Sequence, residues 1–177
     1  MKVLSALAYT ILGSSDPAAE QTDEFVAGLI NGLIGKNDLT EIEKCLKNTQ
    51  LLEQNIEVAL ADVERGDMND VIKGVREFGD VLMQLPQDMA TCTSIQPDVL
   101  QIYNWALKFQ NPVTIVETLQ KNLKKNWTEV TKDIAKAQKD FNSKNYEVSG
   151  EDIAEIIVLS LGKVSDPVDS SDNMYLY

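Results

Sequence analysis

Histidine is absent from this 177-residue sequence, and positive charge is scarce. Without histidine, Ser-His-Asp and Cys-His catalysis, zincin motifs and most catalytic zinc sites are excluded. Lys and Arg number 16 against 28 Asp and Glu, so the formal net charge is -12. A surface this acidic repels DNA, RNA and anionic lipid head groups, and we therefore expect no nucleic-acid partner.

Cysteine is almost absent as well, since Cys45 and Cys92 are the two that occur. In an oxidising compartment a disulfide between them would close a long loop, which is worth about 4 kcal/mol in the chain-entropy model. In a reducing compartment they would be two small core side chains. Both alternatives require burial, and the N-terminal segment described next favours the disulfide.

Long apolar runs are missing after the first residues of the chain. Lys2 precedes an apolar run over residues 3–12, and small residues follow it, a pattern typical of a secretory signal peptide. The run is shorter than the roughly 20 residues that span a bilayer. We expect a signal peptide at residues 1–19, cleaved near Ser15 or Ala19, with no transmembrane segment. A retained N-terminal helix packed on the domain is the alternative.

Apolar residues recur at helical spacing along the rest of the chain, and no segment alternates convincingly with the period of two of a strand. The 44 % of hydrophobic residues is enough for one globular core. We predict a single all-α domain over residues 20–164, a helical bundle of about seven to nine short helices built from stacked helical hairpins. Residues 165–177 are predicted to be an acidic flexible tail.

Local signals predict where the helices in the first half begin and end. Thr22-Asp23 is a good N-cap pair for the first helix, which should stop at Gly35. The third helix should end at Gly66, and Asp67 should open the fourth, so that the two form an antiparallel hairpin. We expect the fourth helix to end before Pro86.

The second half is predicted to contain further short helices. One should hold Met89 and Cys92, and two separate helices should follow Asn111-Pro112 and Trp127. Ser149 is predicted to cap the last helix. A faint similarity between residues 56–68 and 134–146 indicates two related hairpins.

Two segments resemble functional loops but do not have the required spacing. Gly28, Gly32 and Gly35 lack the pattern of a phosphate loop, and the first two, one turn apart, predict instead a close helix approach. The acidic segment 62–70 lacks the glycine and glutamate positions of an EF-hand, and a capped turn explains it better. We therefore predict no catalytic, cofactor-binding or metal-binding residues, and no enzyme activity.

Aromatic residues gather in the second half of the chain. Core packing is the first interpretation of these rings, and an apolar ligand cavity between helices is the alternative. The residues that would line such a cavity are Tyr103, Trp105, Phe109, Trp127 and Phe141.

Asn126-Trp127-Thr128 matches the N-glycosylation sequon, which makes Asn126 a candidate glycosylation site if the protein is secreted. The motif is only three residues long. Since Trp127 begins an apolar stripe, we expect Asn126 at a helix N-cap with its side chain engaged there.

Several short segments carry a resemblance beyond these local patterns. They are residues 28–35, 42–46, 71–75, 85–86, 109–112 and 146–157, with Cys92. Their order and spacing resemble a family of small secreted, two-cysteine, all-helical proteins of ciliated protozoa, over most of residues 25–162. The resemblance implies an all-α fold with a disulfide. No activity is established for that family, so no functional residue is carried over from it.

Together these patterns predict a secreted or lumenal, non-enzymatic helical protein. It would act by protein–protein interaction or self-association, as a surface, matrix or secretory-granule component. One alternative is a carrier of an apolar small molecule or lipid in the helical core. Another is an accessory subunit of an organellar assembly, with the N-terminal residues retained.

Overall fold

The computed structural model describes residues 17–47 and 49–164, with side chains from residue 21 onward. These residues form seven α-helices and two 3₁₀-helices, with no strand among them, which confirms the all-α prediction. The α-helices are α1 (Pro17–Ile34), α2 (Leu39–Cys45), α3 (Gln50–Glu64), α4 (Met68–Asp88), α5 (Gln96–Ala106), α6 (Pro112–Asn142) and α7 (Tyr146–Leu161). The 3₁₀-helices are Thr93–Ile95 and Leu107–Gln110. The predicted tail and residues 1–16 of the predicted leader lie outside the described residues.

Where α1 and α7 cross, glycines on both helices allow the two backbones to come into contact. A Cβ atom at Gly28 would lie 1.8 Å from the carbonyl oxygen of Glu147, and one at Gly150 would lie 2.2 Å from that of Phe25. A Cβ at Gly32 would lie 2.4 Å from the Cβ of Ala154. The predicted close helix approach at Gly28 and Gly32 is thus confirmed.

Helices α6 and α7 form an antiparallel pair joined by side-chain hydrogen bonds to backbone. The buried Ser149 Oγ donates to the carbonyl oxygen of Ala137 at 3.0 Å. Farther along, Asn122 Nδ2 donates to the carbonyl oxygen of Ser160 at 2.9 Å. Each bond satisfies a polar side chain at the interface, so α7 is held between α1 and α6.

The predicted α3–α4 hairpin is confirmed. Gly66 has a φ of 75°, a backbone conformation that favours glycine, and it reverses the chain between the two helices. Asp67 caps α4, because its side chain accepts hydrogen bonds from the N–H groups of Asn69 and Asp70 at 2.8 and 3.1 Å. At Gly74 a Cβ would lie 2.6 Å from Val63, so these helices also pack closely.

The N-cap predicted at Thr22-Asp23 is wrong. Helix α1 begins at Pro17, whose fixed φ suits the first turn of a helix, and both residues lie within it. Thr22 is 4 % exposed and Asp23 is 8 % exposed. These two polar residues therefore lie on the packed side of α1.

The predicted break before Pro86 is also wrong, because α4 continues to Asp88. Proline removes one backbone donor, but here it stands in the last turn, and buried Leu85 and Met89 on either side keep the chain in the core. The short helix predicted for Met89 and Cys92 is instead a turn, closed by a bond from Cys92 N–H to the carbonyl of Met89.

Two predicted helices in the second half are one. Helix α6 runs unbroken for 31 residues because its buried stripe of Leu119, Leu123 and Val130 continues across the expected boundary. Ser149 is likewise not a cap, since α7 already begins at Tyr146. Asn126 and Ser149, which resembled helix N-caps in the sequence, instead donate hydrogen bonds across the α6–α7 interface.

Cys45 and Cys92 form a disulfide bond, with Cα atoms 5.0 Å apart. Cys45 is the last residue of α2, and Cys92 lies in the turn after α4, 47 positions later. Thr91 Oγ1 donates to the carbonyl oxygen of Cys45 at 2.5 Å beside the bond. The disulfide therefore ties short α2 to the far end of the α3–α4 hairpin.

Replacing Gly28 by Ala should destabilise the fold strongly, because the new methyl group would overlap the backbone of Glu147. We expect the free energy of unfolding, measured by urea denaturation, to fall by about 3 kcal/mol or more. Gly35→Ala is the control, since a Cβ there meets nothing within 4 Å and only its φ of 73° is unfavourable. Its expected cost is about 1 kcal/mol. Equal losses for the two variants would contradict the close α1–α7 contact.

Reducing the disulfide should lower the free energy of unfolding by up to about 4 kcal/mol, because the unfolded chain gains conformational freedom. Urea denaturation of the protein and of Cys45→Ala/Cys92→Ala measures this change. The intact mass should rise by two hydrogens on reduction. An unchanged mass would mean that the thiols are free.

Candidate functional site

An open groove of about 390 Å³ lies between α3 and α4. We call it the acidic groove and define it by Leu51, Asn55 and Val58 on α3 with Glu77, Asp80, Gln84, Gln87 and Asp88 on α4. Leu51 is 70 % exposed and Val58 is 54 % exposed, the highest and third-highest values among the large apolar side chains that the structure describes. The groove thus presents apolar surface to solvent.

The two walls of the acidic groove differ in chemistry. Leu51 and Val58 lie seven residues apart on α3, so they fall on one face of that helix. The α4 wall is polar, and we call it the acidic wall because it carries Glu77, Asp80 and Asp88. Such a surface can hold a chain that offers apolar and positively charged groups together.

A second cleft of about 220 Å³ continues from the acidic groove and shares Glu77 and Asp80 with it. Lys73, Arg76 and Phe109 complete its lining. The Phe109 ring covers Gly79, where a Cβ would lie 2.2 Å from the ring. Positive charge therefore borders one end of the acidic groove, and the far end is purely acidic or neutral.

Asp62 stabilises the α3–α4 hairpin through ion pairs. The residue is 2 % exposed, and it pairs with Arg65 on one side and with Lys73 Nζ at 2.7 Å on the other. Lys73 also lies 3.6 Å from Glu77. A buried charge is tolerated when it is paired in this way, and the pairing connects α3 to α4. The acidic loop 62–70 is thus an ion-paired, capped turn.

The carboxyl groups of Asp62 and Glu77 have opposite pKa shifts. Hydrogen bonds from Lys73 and Glu77, together with the charge of Arg65, hold the pKa of Asp62 below its ordinary value. Burial and the neighbouring Asp62 raise the pKa of Glu77. Carboxyl pairs with unequal pKa values occur in acid–base catalysis, but here the Asp62 carboxylate forms ion pairs with Arg65 and Lys73. This arrangement is suited to joining the helices.

Asp152 is a second perturbed carboxyl group, located where α7 faces α6. It is 8 % exposed, and burial raises its pKa to about 6, against the opposing charge of Lys136. Asp140, Glu155 and Asp133 raise the pKa further. Lys136 Nζ is held 2.7 Å from Asp133 and 3.8 Å from Glu155. Near neutral pH, Asp152 therefore carries an unfavourable buried charge.

The five aromatic residues predicted for a ligand cavity lie in different places. Trp105 and Phe109 contact each other edge to face with ring centroids 6.2 Å apart, and Lys108 lies over the Trp105 ring. Phe141 instead contacts Tyr146 at 5.2 Å. Tyr103 and Trp127 are each partly exposed. The carrier interpretation remains a prediction.

Asn126 lies in the middle of α6 and not at a helix cap, which corrects the predicted position. Its Nδ2 donates to the carbonyl oxygen of Leu159 on α7 at 3.0 Å. A glycan would be attached to this same nitrogen, so modification would compete with a contact of the α6–α7 interface. Glycosylation of Asn126 stays a prediction.

Sequence reasoning missed the acidic groove. Leu51 and Val58 lie outside the buried stripe of α3, and this displacement was the available signal. No signal in the sequence indicated the acidic wall, because Asp80 and Asp88 line a groove with Leu51 and Val58 only when α3 and α4 pack together.

Among the described residues, no cluster of His, Cys, Asp and Glu could hold a metal ion. None of the described helices combines the length and hydropathy needed to cross a membrane.

Replacing Asp152 by Asn should stabilise the protein at neutral pH. The folded-state pKa of about 6 exceeds the ordinary 3.8, so the stability contributed by this group falls as the pH rises between these values and stays low above them. We expect a gain of up to about 3 kcal/mol at neutral pH and little change below the ordinary pKa. Urea denaturation across this range, with Glu129→Gln as the exposed control, measures the difference. Parallel pH profiles for Asp152→Asn and the unmodified protein would contradict the assignment.

Comparison with known protein families gives a match over most of the chain. A model of the SctB-like family, described as secreted protein B-like, matches residues 9–161. Searches among curated proteins and among solved structures found no match. The family description agrees with the secreted character that the sequence resemblance implies, and a ciliate origin stays a prediction. Because the match spans most of the chain, the protein belongs to the SctB-like family of secreted protein B-like proteins.

Proposed function

We propose that this protein is a non-enzymatic helical protein of the extracellular space or the secretory lumen, and that it acts by binding protein, including copies of itself. The observation that carries the proposal is the acidic groove, where Leu51 and Val58 are exposed beside Asp80 and Asp88. Exposed apolar side chains flanked by charge are typical of protein-binding surfaces. A surface, matrix or secretory-granule component would use such a groove.

The secretory location is supported by two independent observations. The family is described as secreted. In addition, the disulfide between Cys45 and Cys92 is a bond that persists in oxidising compartments and is rare in the cytosol. A protein stabilised in this way keeps its groove intact outside the cell.

A binding role accounts for the charged groups better than a catalytic one. The sequence has no histidine to serve as a general base. Asp62 and Glu77, whose pKa values are shifted in opposite directions, are engaged with Lys73 and with each other. What remains exposed beside them is a surface suited to a partner chain.

The test of this proposal is the hydrodynamic size of the protein in the fluid into which it is secreted. We expect the unmodified chain to travel in a complex larger than the monomer. Leu51→Ser/Val58→Ser should travel as a smaller species, because it loses the apolar wall of the groove. Leu100→Ser/Val148→Ser removes two other exposed apolar side chains, each 45 % exposed and outside the groove, and should behave like the unmodified chain.

Size-exclusion chromatography of the three secreted chains, with detection of the protein itself, measures these sizes. A monomeric unmodified chain would overturn the proposed function. An identical large size for all three chains would show that the acidic groove is not the binding surface.

A further inference from the structure

Charge is unevenly distributed between the helices. Residues 50–88, which contain the α3–α4 hairpin, carry nine acidic and three basic residues. Helix α6 carries six lysines and four acidic residues, in a chain whose net charge is -12. One helix is therefore positive in an otherwise acidic molecule, and this local charge is opposite to that of the acidic groove.

Four of these lysines share one side of α6, and we call them the lysine face: Lys121, Lys124, Lys125 and Lys132. At 3.6 residues per turn they fall within about 100° of one another. All four are exposed. Lys132 pairs with the exposed Glu129 at 3.1 Å. The other three make no ion pair with any residue that the structure describes.

We propose that the acidic groove of one copy binds the lysine face of a second copy. A lysine side chain has an apolar stem and a charged end. In the groove the stem would lie against Leu51 or Val58, and the ammonium group would reach Asp80 or Asp88. The inference depends on the proposed binding function and names its partner as this same chain.

The two surfaces have similar lengths. Asp80 and Asp88 are eight residues apart, which is about 12 Å along a helix. Lys121 and Lys132 are eleven residues apart, or about 16 Å. A helix laid along the acidic groove would thus bring two or more of its lysines opposite the acidic wall.

The proposed contact joins two different surfaces and is therefore not two-fold symmetric. Two acidic grooves repel each other, as do two lysine faces, so a two-fold contact between identical patches is disfavoured. Groove-to-lysine contact is heterologous, so a bound pair keeps an unused groove on one copy and an unused lysine face on the other for further copies. Rings or open chains follow from this geometry. Because the net charge opposes close approach of whole molecules, association should be weak and should weaken further as salt screens the contact.

Charge reversal tests the proposal on the purified full-length, oxidised protein. Asp80→Lys/Asp88→Lys reverses two of the three charges of the acidic wall, and Lys121→Glu/Lys125→Glu reverses two of the four charges of the lysine face. The substituted residues are exposed or half-exposed, and circular dichroism should report unchanged helix content. By sedimentation velocity from micromolar to millimolar concentration, the unmodified chain should self-associate, and each variant alone should do so at least about tenfold more weakly.

Mixing the two variants provides the decisive measurement. The intact lysine face of one variant meets the intact acidic wall of the other, so association should return to the strength of the unmodified chain. Glu41→Lys/Glu43→Lys on α2 changes the net charge as Asp80→Lys/Asp88→Lys does and should leave self-association intact. Recovery in the mixture, with an unaffected control, supports the proposal.

Three results would overturn this inference. The first is a purified chain that stays monomeric at millimolar concentration and low salt. The second is self-association that neither charge reversal weakens, and the third is no recovery in the mixture. A monomeric purified chain that still travels in a larger complex in its native fluid would overturn the self-association alone. The proposed binding function would then stand, with a different partner.

Discussion

The close crossing of α1 and α7 is the constraint on which the rest of the structure depends. Gly28 and Gly150 place each helix against the backbone of the other, closer than any residue with a Cβ would allow. Across the same interface Asn31 Nδ2 donates to Glu151 Oε1 at 2.6 Å. Helix α7 packs on α6, and α1 contacts α2, α3 and α5. The pair therefore fixes the frame on which the α3–α4 hairpin presents its groove.

Much of this fold follows from apolar spacing and turn residues. The stripe that ends at Gly66 and the cap at Asp67 predict the hairpin correctly, because both signals act within a few residues. Predictions fail where tertiary packing overrides a local signal. Asp23 resembles a cap yet lies inside α1, and Ser149 resembles a cap yet bonds to α6. Pro86 fails to end α4, because its neighbours remain buried.

The candidate site was less accessible to sequence reasoning. A groove forms from residues on two helices, and its charge pattern depends on which side chains the antiparallel pairing brings opposite each other. Leu51 and Val58 alone indicate only two apolar residues on the solvent side of α3. They become part of a candidate binding surface only together with Asp80 and Asp88, which line the same groove. The disulfide was one of two alternatives left open by Cys45 and Cys92, and the fold joins them.

Hydrogen exchange on the complex isolated from its native fluid, compared with the dilute purified chain, tests the central claim most directly. We expect slower amide exchange at residues 50–58 and 77–88 in the complex, because a partner would cover the acidic groove. Helix α2 should exchange at the same rate in both samples. Protection confined to other parts of the chain, with the groove helices unchanged, would contradict the account.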